Sequence, residues 1–263
     1  MKIWTLVENT VCRDGLVAEH GLSLYIEIGN MRLLFDAGQS GAFADNARKM
    51  GIDLSRVDLA VLSHGHYDHG GGMKRFLQVN DHAPIFVSQY VFEEHYNAVG
   101  KNIGIDPALM VSGRMVSVGE EQYLGPGISL ISPNQREWQD PVASNGMTYV
   151  AEGRRKPEDF RHEQYLLLQE GDKRVLISGC SHRGIRNIVR HFRPDVLVGG
   201  FHFKHLDPAG DGVQVLREAA GELMKYPAVY YTGHCTGQAQ YDFLKTTMGD
   251  RLHALSTGTV IEF

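Results

Sequence analysis

SHGHYDHGGG, residues 63–72, is the segment that most constrains the fold and the chemistry of this 263-residue chain. It places three histidines and one aspartate within the six residues 64–69. The apolar run Leu59–Leu62 before it is typical of a buried strand, whereas Met73–Leu77 after it begins like a helix. The segment is therefore predicted to form a strand-to-helix loop, at the kind of strand end where open α/β sheets bind ligands.

Four side chains of this loop are candidate metal ligands. Imidazole nitrogens and carboxylate oxygens are the usual ligands of Zn²⁺ and similar divalent ions. His64 and His66 are predicted to bind one ion, and Asp68 and His69, turned aside by the loop, are predicted to bind a second. A polar loop with accidental histidines is the alternative, but it does not account for four such residues between a strand and a Gly-rich turn.

The composition argues against several classes of function. The hydrophobic fraction of 43% and the charged fraction of 22% are those of a soluble globular protein, and the net charge of −5 predicts no nucleic-acid partner. Three cysteines (Cys12, Cys180 and Cys235) do not make a disulfide framework and favour metal or catalytic roles in a reducing compartment. The N-terminus lacks the apolar core of a signal peptide, and no apolar run reaches transmembrane length. We therefore expect a cytoplasmic protein with no membrane partner.

The rest of the chain alternates strands and helices, with hairpins between them. Leu22–Ile28 and Met31–Phe35, joined by a Gly-Asn turn, are predicted to form a hairpin, and the first of them alternates like a half-buried strand. This pattern favours mixed sheets with helices outside. No linker or repeat divides the chain, so residues 1–263 are expected to form a single domain.

Two segments are harder to interpret from their sequence. Within residues 88–114, Phe92, His95 and Tyr96 fit a helix or a lid, and His95 is expected to be an exposed helix residue. Ser132–Phe160 is polar and rich in Pro, Asn, Glu and Arg. A long irregular segment of this kind is either a functional loop or mobile, and we expect it to shape the substrate entrance.

The order H-x-H-x-D-H followed by Gly-Gly, residues 64–71, resembles the signature of metallo-β-lactamase-fold hydrolases. The resemblance implies an α/β fold: an αββα sandwich of two mixed β-sheets flanked by helices. It also implies that Asp36 buttresses the metal loop through hydrogen bonds to its backbone, with a simple helix-entry turn as the alternative. Further motifs resemble a branch related to the dihydropterin ribofuranosylaminobenzene-phosphate synthase of methanopterin biosynthesis. These motifs are Asn9, Glu19–Ser23, Gly179–His182, Gly199–His202 and His234–Gly237.

The same resemblance implies three further ligands: a third histidine for the first ion, a bridging aspartate, and a last histidine for the second ion. His234, at the end of an apolar strand, fits the last histidine. Cys180 stands where the family has the bridging aspartate. A thiolate there could ligate, because a nearby metal lowers a thiol's pKa, or the thiol could be a buried neutral spectator. At least one of His162 and His182 is expected to be the third histidine, with hydrogen bonding to a ligand as the alternative role of each.

Three residues are predicted to act on the substrate. Asp68 would orient the attacking water or carry its proton. His202 ends a strand and could donate a proton or bind substrate beside the metals, with a structural role as the alternative. Thr236 and the helix N-terminus behind it could hold a phosphate or carboxylate, because free N–H groups point outward there. A helix cap is the alternative role of Thr236.

These observations predict a metal-dependent hydrolase of an ester or phosphoester, or a related transferase if the branch resemblance extends to a phosphorylated, pterin-like substrate. It would use one or two divalent metal ions, with zinc favoured and iron or manganese compatible, and a small-molecule substrate. The alternative is a metal-dependent sensor or ligand-binding protein without turnover, because a fold does not fix a function. Redox chemistry at iron is a weaker third hypothesis, since the chain has no flavin-domain extension.

Overall fold

The computed structural model describes residues 1–263 and contains seventeen strands. In chain order they are β1 (Lys2–Val7), β2 (Ser23–Ile28), β3 (Met31–Phe35), β4 (Leu59–Val61), β5 (Ile85–Ser88), β6 (Glu94–Tyr96), β7 (Met115–Val118), β8 (Glu121–Gly125), β9 (Ile128–Ile131), β10 (Thr148–Ala151), β11 (Arg154–Pro157), β12 (Tyr165–Glu170), β13 (Lys173–Ser178), β14 (Val196–Gly199), β15 (Val229–Thr232), β16 (Leu252–Ala254) and β17 (Val260–Glu262). The α-helices are α1 (Ala42–Lys49), α2 (Tyr67–Gly70), α3 (Met73–Val79), α4 (Ile185–Phe192), α5 (Val213–Leu223) and α6 (Gln238–Met248). None of them combines the length and the apolar character that crossing a lipid bilayer requires.

Two seven-stranded mixed sheets form the centre of the molecule. The first has the order β17-β1-β2-β3-β4-β5-β7, and the second has the order β16-β15-β14-β13-β12-β9-β8. Strands β3, β4, β5 and β7 run parallel in the first sheet, as do β13, β14, β15 and β16 in the second. Because parallel strands end at the same edge of a sheet, the loops after β13, β14 and β15 emerge together.

Three apolar layers explain why the sheets pack as a sandwich. One layer combines residues of both sheets, such as Leu24 and Ile26 of β2 with Leu166 and Ile177 of β12 and β13, and therefore lies between them. A second layer packs α1 and α3 on the outer face of the first sheet. A third packs α4, α5 and α6 on the outer face of the second. The αββα sandwich expected from the sequence is confirmed.

The central hairpin and the helices follow their sequence patterns closely. Strands β2 and β3 pair with Ile28 opposite Met31, so Gly29-Asn30 forms the turn. Strand β2 is buried on both faces rather than half-buried, because Tyr25 packs into the outer layer while its neighbours fill the central one. The buried apolar positions of α4, at Ile185, Ile188, Val189 and Phe192, have the spacing of one helix face.

A third, three-stranded sheet corrects two expectations. Strand β6 pairs with β10, and β10 pairs with β11, in the order β11-β10-β6. Part of the polar segment Ser132–Phe160 therefore forms a hairpin rather than an irregular loop. The expectation that His95 is an exposed helix residue is wrong, since it lies in β6 and is 0% exposed. The pairing of β6 with β10 is long-range, which explains why local periodicity gave no sign of it.

Candidate metal centre

The loop after β4 carries the H-x-H-x-D-H residues and is held in place by hydrogen bonds to Asp36. One Asp36 oxygen accepts the Ser63 backbone N–H at 2.7 Å, and the other accepts the Ser63 hydroxyl at 2.7 Å and Nδ1–H of His69 at 2.6 Å. Asp36 is 0% exposed, so all of these bonds are shielded from water. The buttress implied by the family resemblance is thus present, and it fixes both the backbone of the loop and the ring of His69.

Four potential ligand atoms lie close together at the exit of this loop. Nε2 of His69 lies 3.1 Å from Sγ of Cys180 and 3.2 Å from Nε2 of His234. Oδ2 of Asp68 is 3.2 Å from Nε2 of His234 and 3.9 Å from Nε2 of His69. Bonds of about 2.1 Å to a tetrahedral ion would separate its ligands by about 3.4 Å, so these spacings suit a divalent metal.

Hydrogen bonds on the far side of the two rings fix their tautomers. Nδ1 of His69 donates to Asp36, and Nδ1 of His234 faces Oδ1 of Asn9 at 2.9 Å and donates to it. In the neutral rings both Nε2 atoms therefore carry lone pairs, and these lone pairs face each other across 3.2 Å. Such a contact is repulsive unless a cation, either a metal ion or a proton on one of the rings, lies between the two nitrogens. The donor set of this chain thus fits a bound metal ion.

The charges in this group reinforce that fit. Burial alone would lower the pKa of His69, but the carboxylates of Asp36 and Asp68 outweigh it and raise this pKa to about 9. Burial would raise the pKa of Asp68, yet His69 and the neighbouring histidines hold it well below its usual range. Burial, reinforced by Cys235, raises the pKa of the Cys180 thiol. A thiolate at Cys180 therefore requires a cation beside it.

A second group of potential ligands is formed by His64, His66 and His182, whose ligand atoms lie within 4.8 Å of one another. Nδ1 of His64 contacts the Ser63 hydroxyl at 2.8 Å, which leaves Nε2 buried and without a hydrogen-bond partner. Both ring nitrogens of His182 are also buried without partners. Phe160 stacks on the His182 ring, at 4.4 Å between centroids and 8° between planes, and fixes its orientation.

His162 lies farther from His64 than His182 does, with ring centroids 5.9 Å apart compared with 4.9 Å. Its Nδ1 accepts the Gly65 backbone N–H at 2.8 Å, and its Nε2 is 3.5 Å from Oε1 of Glu158. Burial and the nearby His95 lower the pKa of His162 to about 4, so the ring is neutral at pH 7. The structure therefore brings His182, rather than His162, together with His64 and His66.

The two residues expected to contact substrate occupy different environments. His202 follows β14, adopts a left-handed φ of 56° and lies with its ring 4.2 Å from that of His182. Burial, together with His205, lowers the pKa of His202 to about 4. Thr236 is 0% exposed, and its hydroxyl accepts the Phe201 N–H at 2.9 Å and contacts Thr232 at 2.6 Å. These contacts favour a structural role for the Thr236 side chain over contact with substrate.

A cavity of about 540 Å³ opens over both groups of ligands. A neighbouring cavity of about 330 Å³ shares His182, His202 and His205 with it, and adds apolar side chains such as Phe203 and Leu206. A small molecule could therefore reach the ligand atoms while its remainder lies in the second cavity. The main cavity is lined by His20, His66, Tyr67, Asp68, Asn97, Ile103, Met147, Cys180, His182, His202, Lys204, His205, His234 and Cys235.

Several residues near the site were not predicted as members of it. Nε2 of His20 lies 3.3 Å from Oδ2 of Asp68, and Cys235 offers a ligand atom within 4.8 Å of those of Cys180 and His234. The backbone N–H of His234 donates to Glu8. His20 and Cys235 belong to motifs that the sequence does show, whereas nothing near Glu8 marks it as a partner of a residue 226 positions away.

Comparison with known proteins is consistent with this geometry. The sequence model of the metallo-beta-lactamase superfamily matches residues 17–234. An uncharacterised protein of Methanocaldococcus jannaschii is 31% identical, over 75% of this chain and 77% of its own length. The 7,8-dihydropterin-6-methyl-4-(beta-D-ribofuranosyl)-aminobenzene-5'-phosphate synthase of the same organism is 27% identical, over 100% of this chain and 97% of its own.

A solved structure is similar over the full length as well. The crystal structure of a metal-dependent hydrolase of the beta-lactamase superfamily superimposes with a TM-score of 0.84 and 26% identity, covering 100% of this chain and 99% of that protein. The fold, the matched family region and the ligand geometry agree. The chain belongs to the metallo-beta-lactamase superfamily.

Proposed function

We propose that this protein is a metal-dependent hydrolase that holds two divalent ions and acts on an ester or phosphoester bond of a small molecule. His64, His66 and His182 would hold one ion, and Asp68, His69, Cys180 and His234 the other. The observation that supports this most directly is the close approach of Nε2 of His69 and Nε2 of His234, 3.2 Å apart with a thiol and a carboxylate beside them. Nitrogen ligands combined with a thiol favour zinc or iron over manganese.

The bound ions would act as Lewis acids and make a water nucleophile available at neutral pH. The protein supplies the positioning. Asp68, with its carboxylate at the cavity and His20 at 3.3 Å, would accept a hydrogen bond from the attacking water and orient it. His202 lines both cavities, so its ring could donate an N–H to the substrate oxygen that departs. Lys204, also at the cavity, adds a positive charge for an anionic substrate.

The proposal predicts that zinc-loaded protein hydrolyses bis(p-nitrophenyl) phosphate or p-nitrophenyl acetate. His66→Ala should lower turnover by at least about 100-fold, because it removes a predicted ligand of the ion that helps to activate water. Release of p-nitrophenol, measured by absorbance at saturating zinc, tests this, with bound zinc quantified in the same samples.

His82→Ala is the matched control, since His82 is an exposed histidine whose ring hydrogen-bonds only to Asp81. Its turnover should equal that of the wild type. Zinc-replete protein that binds a small ligand tightly but turns over neither ester would contradict the hydrolase and favour the sensor or ligand-binding alternative.

A transferase is the second candidate, and the full-length similarity to a synthase named for a dihydropterin–ribofuranosylaminobenzene phosphate product supports it. In that case the same residues would promote attack of the second reactant, rather than water, on a phosphorylated, pterin-like substrate, whose bond to pyrophosphate breaks as the attacking group loses a proton. Incubation of zinc-loaded protein with a dihydropterin pyrophosphate and a ribofuranosylaminobenzene phosphate, followed by mass spectrometry, separates the two reactions. A condensed product would support the transferase, and hydrolysis of either reactant alone would support the hydrolase.

A further inference from the structure

The second cavity, of about 330 Å³, adjoins the metal centre, and the proposed chemistry does not fix what it holds. It lies between the segment 140–145, the start of α4, the residues after β14 and helix α5. His182, His202 and His205 line both this cavity and the larger one over the ligand atoms. The two cavities therefore meet at these rings, and a molecule held at the metal centre can extend from one into the other.

The walls of the second cavity are apolar and rich in rings. Phe201 and Phe203 follow β14, with their ring centroids 6.2 Å apart and their planes at 75°. Four of the five residues 201–205 carry rings, and all four line the cavity. The aliphatic lining residues are Ile185, Leu206, Val215 and Ala219. Because aromatic rings gain from edge-to-face and offset contacts beyond the area that they bury, these walls favour a ring over an alkyl chain.

The charged side chains of the second cavity and its buried asparagine are already paired. Oδ2 of Asp140 lies 2.9 Å from Nε of Arg186 and 2.8 Å from Nη1 of Arg190. Oδ1 of Asn187 accepts the Asp140 N–H, and its Nδ2 donates to the carbonyls of Asp140 and Arg183, all at 2.9 Å. A charged or strongly polar ligand would have to break these pairs, which is costly at buried groups. The second cavity therefore suits an uncharged group that makes few hydrogen bonds.

The main cavity has the opposite character, since Asp68 and Lys204 place charges of both signs beside the candidate metal ligands. An anionic or polarised reacting group belongs there. His202 lies at the junction, where it faces the oxygen that departs. We propose that the second cavity is the subsite for the leaving group and that it takes an uncharged aryl group. This inference rests on the proposed function in placing the reacting bond at the metal centre.

The substrate class that follows is an aryl ester or aryl phosphoester. In its hydrolysis the oxygen of water bonds to the carbonyl carbon or the phosphorus, and the bond from that atom to the aryl oxygen breaks. The aryl alcohol leaves with one proton of the water. The acid or phosphate that remains stays in the main cavity, beside Lys204.

Phosphonates test the subsite without turnover, because their C–P bond is not hydrolysed. They share the anionic end and differ in the group that reaches the second cavity, and titration calorimetry with zinc-loaded protein gives their affinities. 2-Naphthylmethylphosphonate should bind roughly 10- to 100-fold more tightly than methylphosphonate, because its apolar surface is buried. Benzylphosphonate should bind at least about twofold more tightly than cyclohexylmethylphosphonate, because only the first presents an aromatic ring to the walls.

Val215→Asp places a charge in the wall of the subsite. Val215 is 43% exposed and is the third residue of α5, where an acidic residue suits the helix, so the variant should fold. It should lower the preference for the naphthyl over the methyl phosphonate by roughly 10-fold, because its carboxylate must lose water against the ring. If this variant does not fold, Leu206→Asn, which makes another part of the wall polar, carries the test.

Gln214→Asp is the matched control. It introduces the same charge at the neighbouring position, where the exposed side chain donates to Glu218 and lines neither cavity. Its preference for the naphthyl phosphonate should equal that of the wild type.

The outcomes separate this inference from the proposed function. No naphthyl preference in the wild type, or an equal effect of Val215→Asp and Gln214→Asp on it, would refute the subsite and leave the hydrolase intact. Equal or tighter binding of cyclohexylmethylphosphonate than of benzylphosphonate would refute its assignment to aryl groups. Wild-type protein that shows the expected preferences but releases no p-nitrophenol from either ester would refute the hydrolase, and the second cavity would remain a site for an aryl group.

Discussion

Asp36 is a single buried acceptor that holds both the backbone of the metal loop and the ring of His69. It accepts the Ser63 backbone N–H, the Ser63 hydroxyl and Nδ1–H of His69 without being a metal ligand itself. The ring of His69 presents Nε2 to the other ligands only while Nδ1 keeps its proton. The buttress therefore decides the protonation pattern of the site as well as its geometry.

Replacing Asp36 by Asn should weaken zinc binding by roughly 10- to 100-fold. The amide can still accept the Ser63 N–H, but its NH₂ group faces Nδ1–H of His69 and favours the tautomer that lacks a lone pair on Nε2. Chelator competition measures the affinity. Asp58→Asn is the control, because Asp58 accepts only the Arg32 N–H in the same sheet, at 2.7 Å, and an amide oxygen can replace it there. Equal affinities in the two variants would contradict the argument.

The residues that the sequence predicted best are those whose neighbours along the chain are also their neighbours in space. His64, His66, Asp68 and His69 belong to one loop, so their spacing alone identified them. His182 and His162 could not be separated from the sequence, because the choice depends on which ring meets His64 across the sandwich. Glu158 was not predicted at all, since its partners are brought to it by strand pairings between distant segments.

At the scale of elements, strong local periodicity was sufficient to predict an element from the sequence, and elements that lack it were missed. The β2–β3 hairpin was predicted from its two apolar runs, and the buried residues of α4 recur at the spacing of one helix face. Strand β11 is polar and largely exposed, and β10 has only four residues, so neither showed an alternation of apolar residues long enough to mark it. They are held in the sheet by the pairing of β11 with β10 and of β10 with β6, the strand that contains the buried His95. Tertiary context overrides weak propensity in such strands.

The pair of helices α4 and α5 is joined by charged side chains at its edge. Arg190 of α4 lies 2.8 Å from Glu222 of α5 and 2.8 Å from Asp140, and Lys225 lies 2.7 Å from Glu222. The hydrogen bonds from Arg190 and Lys225 lower the pKa of Glu222 from 4.5 to about 2. Because the folded pKa is depressed, the stabilisation is complete above about pH 4.5 and is lost as the pH falls toward 2.

Glu222→Gln should therefore lower the free energy of unfolding by about 1 kcal/mol at pH 7, with the difference from the wild type shrinking between pH 4.5 and pH 2. Urea unfolding at pH 7, 5 and 3 measures it. Glu218→Gln on the same helix is the control: Glu218 is half exposed and 3.4 Å from Arg186, so its effect should stay within about 0.5 kcal/mol. A Glu222→Gln difference that does not change with pH would contradict the assignment.

At the scale of the whole molecule, the candidate metal centre joins the two sheets. The loop with His64–His69 follows β4 of the first sheet, whereas Cys180, His182 and His234 follow β13 and β15 of the second. The ligands thus come from halves that otherwise meet through the central apolar layer. The prediction of a single domain over residues 1–263 remains to be tested, but ligands drawn from both sheets would couple the unfolding of the two halves.

Removal of metal should therefore destabilise the entire molecule rather than the loop alone. Free zinc at about 1,000 times its dissociation constant adds about 4 kcal/mol to the free energy of unfolding. At about 2–4 °C for each kcal/mol, the melting temperature should fall by roughly 10 °C after chelator dialysis and recover when zinc is restored. Calorimetry should show one transition in both states.

Two variants test the source of this shift in melting temperature. His69→Ala should lose most of the zinc-dependent shift, and His82→Ala, altered at an exposed histidine, should keep it. Zinc that binds stoichiometrically to the wild type yet leaves its melting temperature unchanged would show that the centre does not couple the two sheets.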